Sequence, residues 1–503
     1  MEPLALALDL GTGGCKASLW SADGHAVAET VVSYPTRHPG PGRAEQRPDE
    51  WWDAVVSATR EVVAQTPGAR EAVIGIALSG QSLGVVQVDA AGELVARDTP
   101  IWSDTRGRTR PILDRIDEDE WYLRTGNGFG APLYPLFKTQ TMRAEDPEGW
   151  ARTRALLGSK DWITLRLTGE IATDHSMASG SGAYDLTLGD YDDAILDAAG
   201  LDRSLLPTPR ESADVVGTLL PAPAEALGLP ADVPVHAGAV DNAAMALGSR
   251  GTTDGRIYAA LGSSSWMTVT SSAPVLDVET RPYVFRHAVP GLYISALSTF
   301  SSGTTLTWLR DVMRPGADIG AFIDGAAASP RGARGAVFVP TLAGGTPLEG
   351  GSGVRGTLTG LELGTGADDL VRACLEGIAF ALDRSLRHIR ALSGLPADTD
   401  LLISGGGSRS PVWNRIYADV LDTALLRTTV DQQAATLGAA ALVFSGSGVW
   451  SSLAAADDAH EVVERLAPDP DGVRAYDALR DRSSAAADAA VLFARSTPSQ
   501  ENA

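Results

Sequence analysis

Residues 4–20 read LALALDLGTGGCKASLW: a continuous apolar run, a bend of glycine and threonine, and a second β-type run. A continuous apolar run is the pattern of a strand buried on both faces. The glycines let backbone amides approach an anion, and the Thr12 hydroxyl adds a donor. Yet the bend lacks the spacing of a Walker A loop, and no helix pattern follows it at once. From these residues alone the segment is equally a phosphate loop or a plain glycine-rich turn.

The same theme returns in the second half. GRIYAALGSSSWMTVTSS is again strand, bend, strand. Two such units suggest a duplicated architecture. Around the first lie a hairpin with an Asp23-Gly24 turn, a buried strand in AVIGIALSG, and a second hairpin expected in LGVVQVDAAGELVARD. RPDEWWDAVVSATREVVAQT has helical spacing with Pro48 at its start. Helices are expected in RTRPILDRIDEDEWYLRTG, YPLFKTQTMRAEDPEGWARTRAL and SKDWITLRLTG, with Lys138 and Arg143 on solvated faces. After GRIYAALG the chain alternates helix, strand, helix up to the small-residue segment QQAATLGAAALVFSGSG. This alternation favours α/β layers around buried mixed sheets. At 503 residues the chain is too long for one core, so two domains are expected, 1–247 and 248–503. The tail STPSQENA is polar and expected to fray.

Composition narrows the function classes. With 63 acidic and 41 basic side chains the net charge is −22, which argues against a nucleic-acid or anionic-membrane surface. No run is long and apolar enough for a membrane span, and no signal-peptide pattern opens the chain. Cys15 and Cys374 form neither a disulfide framework nor a zinc pattern, so a reducing cytoplasm is expected. His175, His236 and His388 show no metal-ligand spacing and read as structural.

Several polar residues are candidates for chemistry. Asp9 ends the first strand, where a hard oxygen ligand suits Mg²⁺ held through water. Gly11, Thr12, Gly13 and Gly14 follow it. GSSS (262–265) and SGGGSRSPVWN (404–414) are further glycine-rich bends at strand ends, and three such bends suit the phosphates and base of a nucleotide. Asp241, in AGAVDNAAMALG, sits where a glycine-rich strand end meets a small-residue helix. It reads either as an N-cap or as a general base for a hydroxyl attacking a γ-phosphate. Gln81 in LSGQSLG, and Trp102, Asp104 and Arg106 in IWSDTR, suit a ligand with many hydroxyls. Their plain alternative is one buried salt bridge and one core tryptophan.

Together these segments resemble the FGGY carbohydrate kinases, the family of glycerol kinase, xylulokinase, gluconokinase and ribulokinase. DLGTGGCKASLWSADG looks like the first phosphate loop and LGSSSW like the second. SGQ and WSDTR are similar to sugar-site motifs of xylulokinase-like members, and AGAVDNAA to the catalytic-aspartate loop. SSGTTLTWLRD, GTLTGLELGTGADDLVRACLEG and GGGSRSPVWNRIYADVL resemble later family motifs. Five positions, in three motifs, depart from the pattern. Thr141 stands where a tryptophan usually follows the Lys138 signature, and Arg355 and Cys374 interrupt the C-terminal signature. Ser82 and Leu83 replace the Met-His of the xylulokinase-like GQMHG.

The resemblance implies two actin-like, ribonuclease-H-like domains with ATP in the cleft between them. A β-hairpin then embraces phosphate in place of a helix N-terminus, which accounts for the missing Walker spacing. It implies Asp241 as base, and Mg²⁺ near Asp9 and Asp241. ATP would meet Gly11, Thr12, Gly13, Gly14, Gly262, Ser263, Ser264, Gly303, Gly405, Gly406, Gly407 and Asn414. The acceptor would meet Gln81, Ser82, Trp102, Asp104, Arg106, Asp241 and Asn242. The expected acceptor is a neutral pentulose such as D-xylulose, with a polyol such as erythritol or glycerol as alternative. An actin-like ATPase without sugar kinase activity and a silent sugar-binding regulator are the rival classes. No nucleic-acid or membrane partner is expected, and the oligomeric state stays open, a homodimer included.

Overall fold

The structure is a computed structural model and describes residues 2–496. The chain builds two seven-stranded sheets. In the first half, β1 (Leu4–Leu10), β2 (Gly14–Ser21) and β3 (Ala26–Ser33) form an antiparallel meander. Helix α1 (Pro48–Gln65) covers it, and β4 (Val73–Gly80) then joins β1 in parallel. Helices α2 (Pro135–Glu145) and α3 (Ser159–Thr168) follow. Strands β5 (Val215–Thr218), β6 (Pro234–His236) and β7 (Ala239–Val240) complete the sheet, and the short helix α4 (Asp241–Leu247) leaves it. The order is β5-β6-β4-β1-β2-β3, with β7 also on β4.

The second half repeats the plan. Strand β8 (Ile257–Leu261) pairs antiparallel with β9 (Ser265–Ser271). Strand β10 (Tyr283–Arg286) forms the edge, and β11 (Tyr293–Thr299) joins it to β9. After α5 (Gly303–Met313) and the long α6 (Ala367–Ser393), β12 (Leu401–Ser404) joins β8 in parallel. Helix α7 (Pro411–Leu421), β13 (Leu425–Thr428), α8 (Ala434–Gly446), β14 (Val462–Leu466) and α9 (Pro470–Ser496) end the described chain. In both sheets the opening strand has an antiparallel hairpin partner on one side and a parallel strand on the other. The duplication expected from two strand–bend–strand units is thus present in the topology.

Each sheet has its own core, and a third core joins them. Ala5, Ala7 and Ala77 of the first sheet, α4, α8, and Tyr258 and Leu402 of the second sheet meet there. Helix α8 is apolar all round because it is enclosed on all sides. Helices α4 and α8 touch backbone to backbone. A Cβ on Gly438 would lie 2.0 Å from the Ala244 carbonyl oxygen, and one on Gly248 would lie 1.8 Å from that of Ala434.

Several expectations are corrected. Lys138 is fully buried, not on a solvated face, while Arg143 is exposed. The second hairpin shrinks to one bridge, Val88 to Leu94, because Val86–Val88 pairs with Ala155–Leu157. The stretch from Arg108 splits into Arg110–Leu113 and Glu118–Thr125, since Asp117 caps a new start with its carboxylate. The next splits at Asp146-Pro147, where proline removes a helix donor. Both cysteines are buried and unpaired. Residues 497–503 of the tail lie outside the described residues. Among the described residues no helix is long and apolar enough to cross a membrane.

Candidate active site

The second and third glycine-rich bends lie together, and the first is linked to them through the 431–432 segment. The first joins β1 to β2, and Gly11 N–H closes it on the Gly14 carbonyl (3.1 Å). Gly14 must lack a side chain, because a Cβ would lie 2.6 Å from the Val32 carbonyl oxygen. Thr12 and Gly13 are exposed at its tip. The second bend joins β8 to β9, with Gly262 and Ser263 exposed and Ser264 half-buried. The start of α5 is tied to it. Gly303 N–H donates to the Gly262 carbonyl (3.0 Å), and the Ser263 carbonyl accepts from the amides of Ser302 and Thr304.

The third bend follows β12. Gly405 has φ +89°, and its Cβ position lies 2.7 Å from the Leu261 carbonyl oxygen, so the second and third bends lie side by side. Gly405 N–H donates to Asp431 (2.7 Å), and Lys16 Nζ in the first hairpin donates to the carbonyl of Gln432 (2.7 Å). That pair of contacts joins the third bend to the first. Gly406 is exposed and Gly407 half-buried. Asn414 is buried, and its amide donates to the Ser408 carbonyl (2.7 Å). It therefore shapes the bend from behind. Its Oδ1 atom has no partner.

Asp241 is the first residue of α4 and not its cap, which is Val240. Its Oδ1 accepts from Asn242 N–H (2.8 Å), and the backbone of Ser82 also points to its carboxylate. The residue keeps some exposed surface at the cleft while protein crowds the carboxylate from other sides. Burial, and then the nearby Asp9 charge, push its pKa up to about 7. Asp9 accepts from Ser79 Oγ (2.7 Å). Burial raises its pKa too, opposed by Ser79 and Lys16. Among the described residues no three metal-ligating side chains converge. Two neighbouring carboxylates fit Mg²⁺, which keeps most of its water and binds through one or two carboxylates plus phosphate. Asp241 and Asn242 border a cavity of about 180 Å³, walled from the second half by Tyr258, Trp266 and Phe285.

The acceptor motifs divide. Trp102 is 43% exposed, and its Nε1 donates to Thr12 Oγ1 (2.8 Å). It is thus a plate against the first phosphate loop and not a core tryptophan. Asp104 is fully buried and already saturated. It accepts from Ala44 N–H (2.8 Å), Arg106 N–H (3.0 Å), Arg106 Nε (2.8 Å) and Arg106 Nη2 (2.7 Å). Arg106 also pairs with Glu45. The Asp104 carboxylate and the Nε and Nη2 of Arg106 are engaged with each other and with Glu45, because the loop turns tightly enough for the side chains to meet. The plain reading of a buried salt bridge is what the geometry holds. Gln81 is buried, with its Nε2 on Gln46 Oε1 (2.8 Å).

Two models of the FGGY family of carbohydrate kinases match the sequence, the N-terminal domain over residues 4–248 and the C-terminal domain over 257–446. The chain belongs to the FGGY family of carbohydrate kinases. It is a phosphotransferase with an alcohol group as acceptor, and kinases of this family use ATP, generally with a divalent metal. It is 30% identical over 455 residues to the xylulose kinase of Bacillus subtilis (strain 168), covering 89% of each chain. It is 31% identical over 441 residues to that of Escherichia coli (strain K12), covering 87% of this chain and 89% of the relative. The crystal structure of xylulose kinase from Rhodospirillum rubrum superposes with a TM-score of 0.90 at 28% identity, covering 98% of this chain and all of the other.

Two residues of this kinase escaped the sequence reading. Gln46 donates to the Thr12 carbonyl (2.7 Å) and Thr36 Oγ1 (2.8 Å), and accepts from Trp51 Nε1 (2.9 Å) and Gln81. It couples the acceptor motif to the phosphate loop, and nothing in its local sequence marks it. Lys138 donates to the carbonyls of Leu83 (2.8 Å) and Ile101 (2.6 Å), the hinges of the GQSLG and WSDTR motifs. Leu83 has φ +57°, a conformation uncommon outside glycine, so its carbonyl needs an anchor. Burial pushes the Lys138 pKa down to about 7. The local sequence, a mixed polar helical stretch, carries no signal of this burial.

Proposed function

We propose that Asp241 takes the proton of an acceptor hydroxyl as that oxygen attacks the γ-phosphorus of ATP, and that the acceptor is a neutral ketose, D-xylulose first. The observation that carries this reading is Asp241 itself. It borders a cavity between α4 and the second sheet with its pKa raised to about 7, and a base works best when its pKa lies near the operating pH. The hydroxyl loses its proton to Asp241, the new O–P bond forms, and ADP departs. The amides of Gly13 and Ser263 and the Thr12 hydroxyl face the phosphates, while Gly11 and Gly262 close their bends through N–H bonds to the carbonyls of Gly14 and Ser264. Thr12 accepts from Trp102, which leaves its own proton free for an oxygen of ATP. Bound Mg²⁺ would supply charge neutralisation at the phosphates, beside Asp9 and Asp241. Gly405 to Gly407 bracket the adenosine. The remaining catalysis is positioning in a cleft that excludes water.

Named relatives that act on xylulose support the ketose. So does the cavity wall, which holds no lysine or arginine to meet an aldonate carboxylate. Ser82 and Leu83 leave this site without the histidine of GQMHG. A coupled ADP-release screen over ketoses, polyols and aldonates tests the acceptor, and a preference for an aldonate would refute it. Asp241→Asn should keep ATP binding and fold and lose most turnover. Near-normal turnover in that variant would remove Asp241 from the role.

A further inference from the structure

Behind Asp241 lies a buried polar cluster with no assigned role. Lys160, in the first turn of α3, has no exposed surface. Its Nζ contacts Asp161 Oδ1 (2.7 Å), Asp174 Oδ1 (2.9 Å) and the Ala237 carbonyl (2.9 Å). Asp174 caps the short helix His175–Ser179 and accepts from the hydroxyls of Ser176 and Ser212, the latter at 2.8 Å. Ser176 Oγ in turn accepts from Val240 N–H (2.9 Å). Val240 immediately precedes Asp241. The 237–240 segment turns sharply at Gly238, whose φ is +76° and whose Cβ position lies 2.3 Å from the Leu78 carbonyl oxygen. Strand β4 pairs with one edge of this segment, at Ala239 and Val240. The cluster holds Ala237 and Val240 from elsewhere. The same helix start reaches the acceptor loop, since Ser159 Oγ donates to the Gln81 carbonyl (3.0 Å).

We infer that Ser176 and Lys160 are positioning residues, which lock the 237–240 segment so that the Asp241 carboxylate meets the acceptor hydroxyl in line with phosphate. This rests on the reading of Asp241 as base. Val240 N–H is buried, and losing the Ser176 hydroxyl leaves it without that acceptor, so the segment must shift to find another. A displacement of about 1 Å at a reacting group can cost a hundredfold in rate. Binding of the acceptor, made mostly by other groups, changes little.

Ser212 supplies a matched control. Its hydroxyl donates to the same Asp174 oxygen and is as buried, but unlike that of Ser176 it accepts no hydrogen bond from the 237–240 segment. Its backbone contact, Gly238 N–H to the Ser212 carbonyl (3.0 Å), survives substitution. Ser176→Ala and Ser212→Ala should lower the urea midpoint similarly. Ser176→Ala alone should lower kcat about tenfold or more, with acceptor KM within about twofold of wild type. Ser212→Ala should keep kcat within about twofold. Equal losses of kcat in the two variants, or normal kcat in Ser176→Ala, overturn the inference. If Ser176→Ala does not yield folded protein, Ser176→Cys, which keeps the volume and weakens the acceptor, is judged by the same comparison. Asp241→Asn is measured alongside. Turnover retained there refutes the base itself, whereas a dead Asp241→Asn with a normal Ser176→Ala refutes only the positioning role.

Discussion

Lys138→Met should change how the stability of this kinase depends on pH. Lys138 is buried between the two acceptor motifs, and burial lowers its pKa from 10.5 to about 7. Asp104 pulls the value up and Arg106 pushes it down, but neither outweighs desolvation. The folded-state value is depressed, so between pH 7 and 10.5 the unfolded chain binds more protons than the folded one. Stability therefore rises with pH across that window. The penalty is fully present below the folded pKa and gone above the unfolded one. Integrating between these two values gives the wild type a gain of about 3 kcal/mol from pH 7 to pH 9.5. Methionine has similar volume and no proton to lose. Its cost is a pH-independent loss of two donors, leaving the Leu83 and Ile101 carbonyls unpaired at about 1–3 kcal/mol each. Urea unfolding at pH 7 and 9.5, converted through the slope of each transition, measures the difference between the proteins. Other titrating groups are common to both and cancel. Equal pH dependence in wild type and Lys138→Met would mean that Lys138 keeps an ordinary pKa, and the argument from burial would fail.

Gly303→Ala places a Cβ 2.6 Å from the Gly262 carbonyl oxygen, and backbone cannot yield as a side chain does. It should raise the KM for ATP about tenfold or more, since overpacking costs about 1–3 kcal/mol, and leave acceptor binding without ATP unchanged; calorimetry of each ligand checks this. Thr12→Val should cost about 1.5–3 kcal/mol in productive ATP use, a loss read from kcat/KM; the freed Trp102 N–H is exposed to water, so the protein itself should stay stable. Asp104→Ala should destabilise the fold by about 3–5 kcal/mol, because it strips the buried Arg106 of its main partner. A stable Asp104→Ala variant with only weakened acceptor specificity would instead restore Asp104 to direct contact.

The linear sequence determined more of the fold than of the acceptor site. Apolar runs broken by glycine bends at residues 10–14 and 261–265 fix strand–bend–strand units, because buried strands and left-handed or close-approach turns leave local marks. Asp9, Asp241 and the three bends were legible for the same reason: each lies at a strand end within a few residues of its own signal. Their convergence was not. It depends on Lys16 reaching Gln432 and on Gly405 reaching Leu261, contacts made across hundreds or more than a hundred residues of chain. Asp104 and Arg106 show the opposite failure. A carboxylate and a guanidinium two residues apart suit a sugar, and only the turn of the backbone decides that they satisfy each other. Lys138 sat in a helical stretch that read as solvated. Its burial follows from the docking of α2 against two distant loops, and desolvation, which then sets its chemistry, is a property of the surroundings that no local residue pattern encodes.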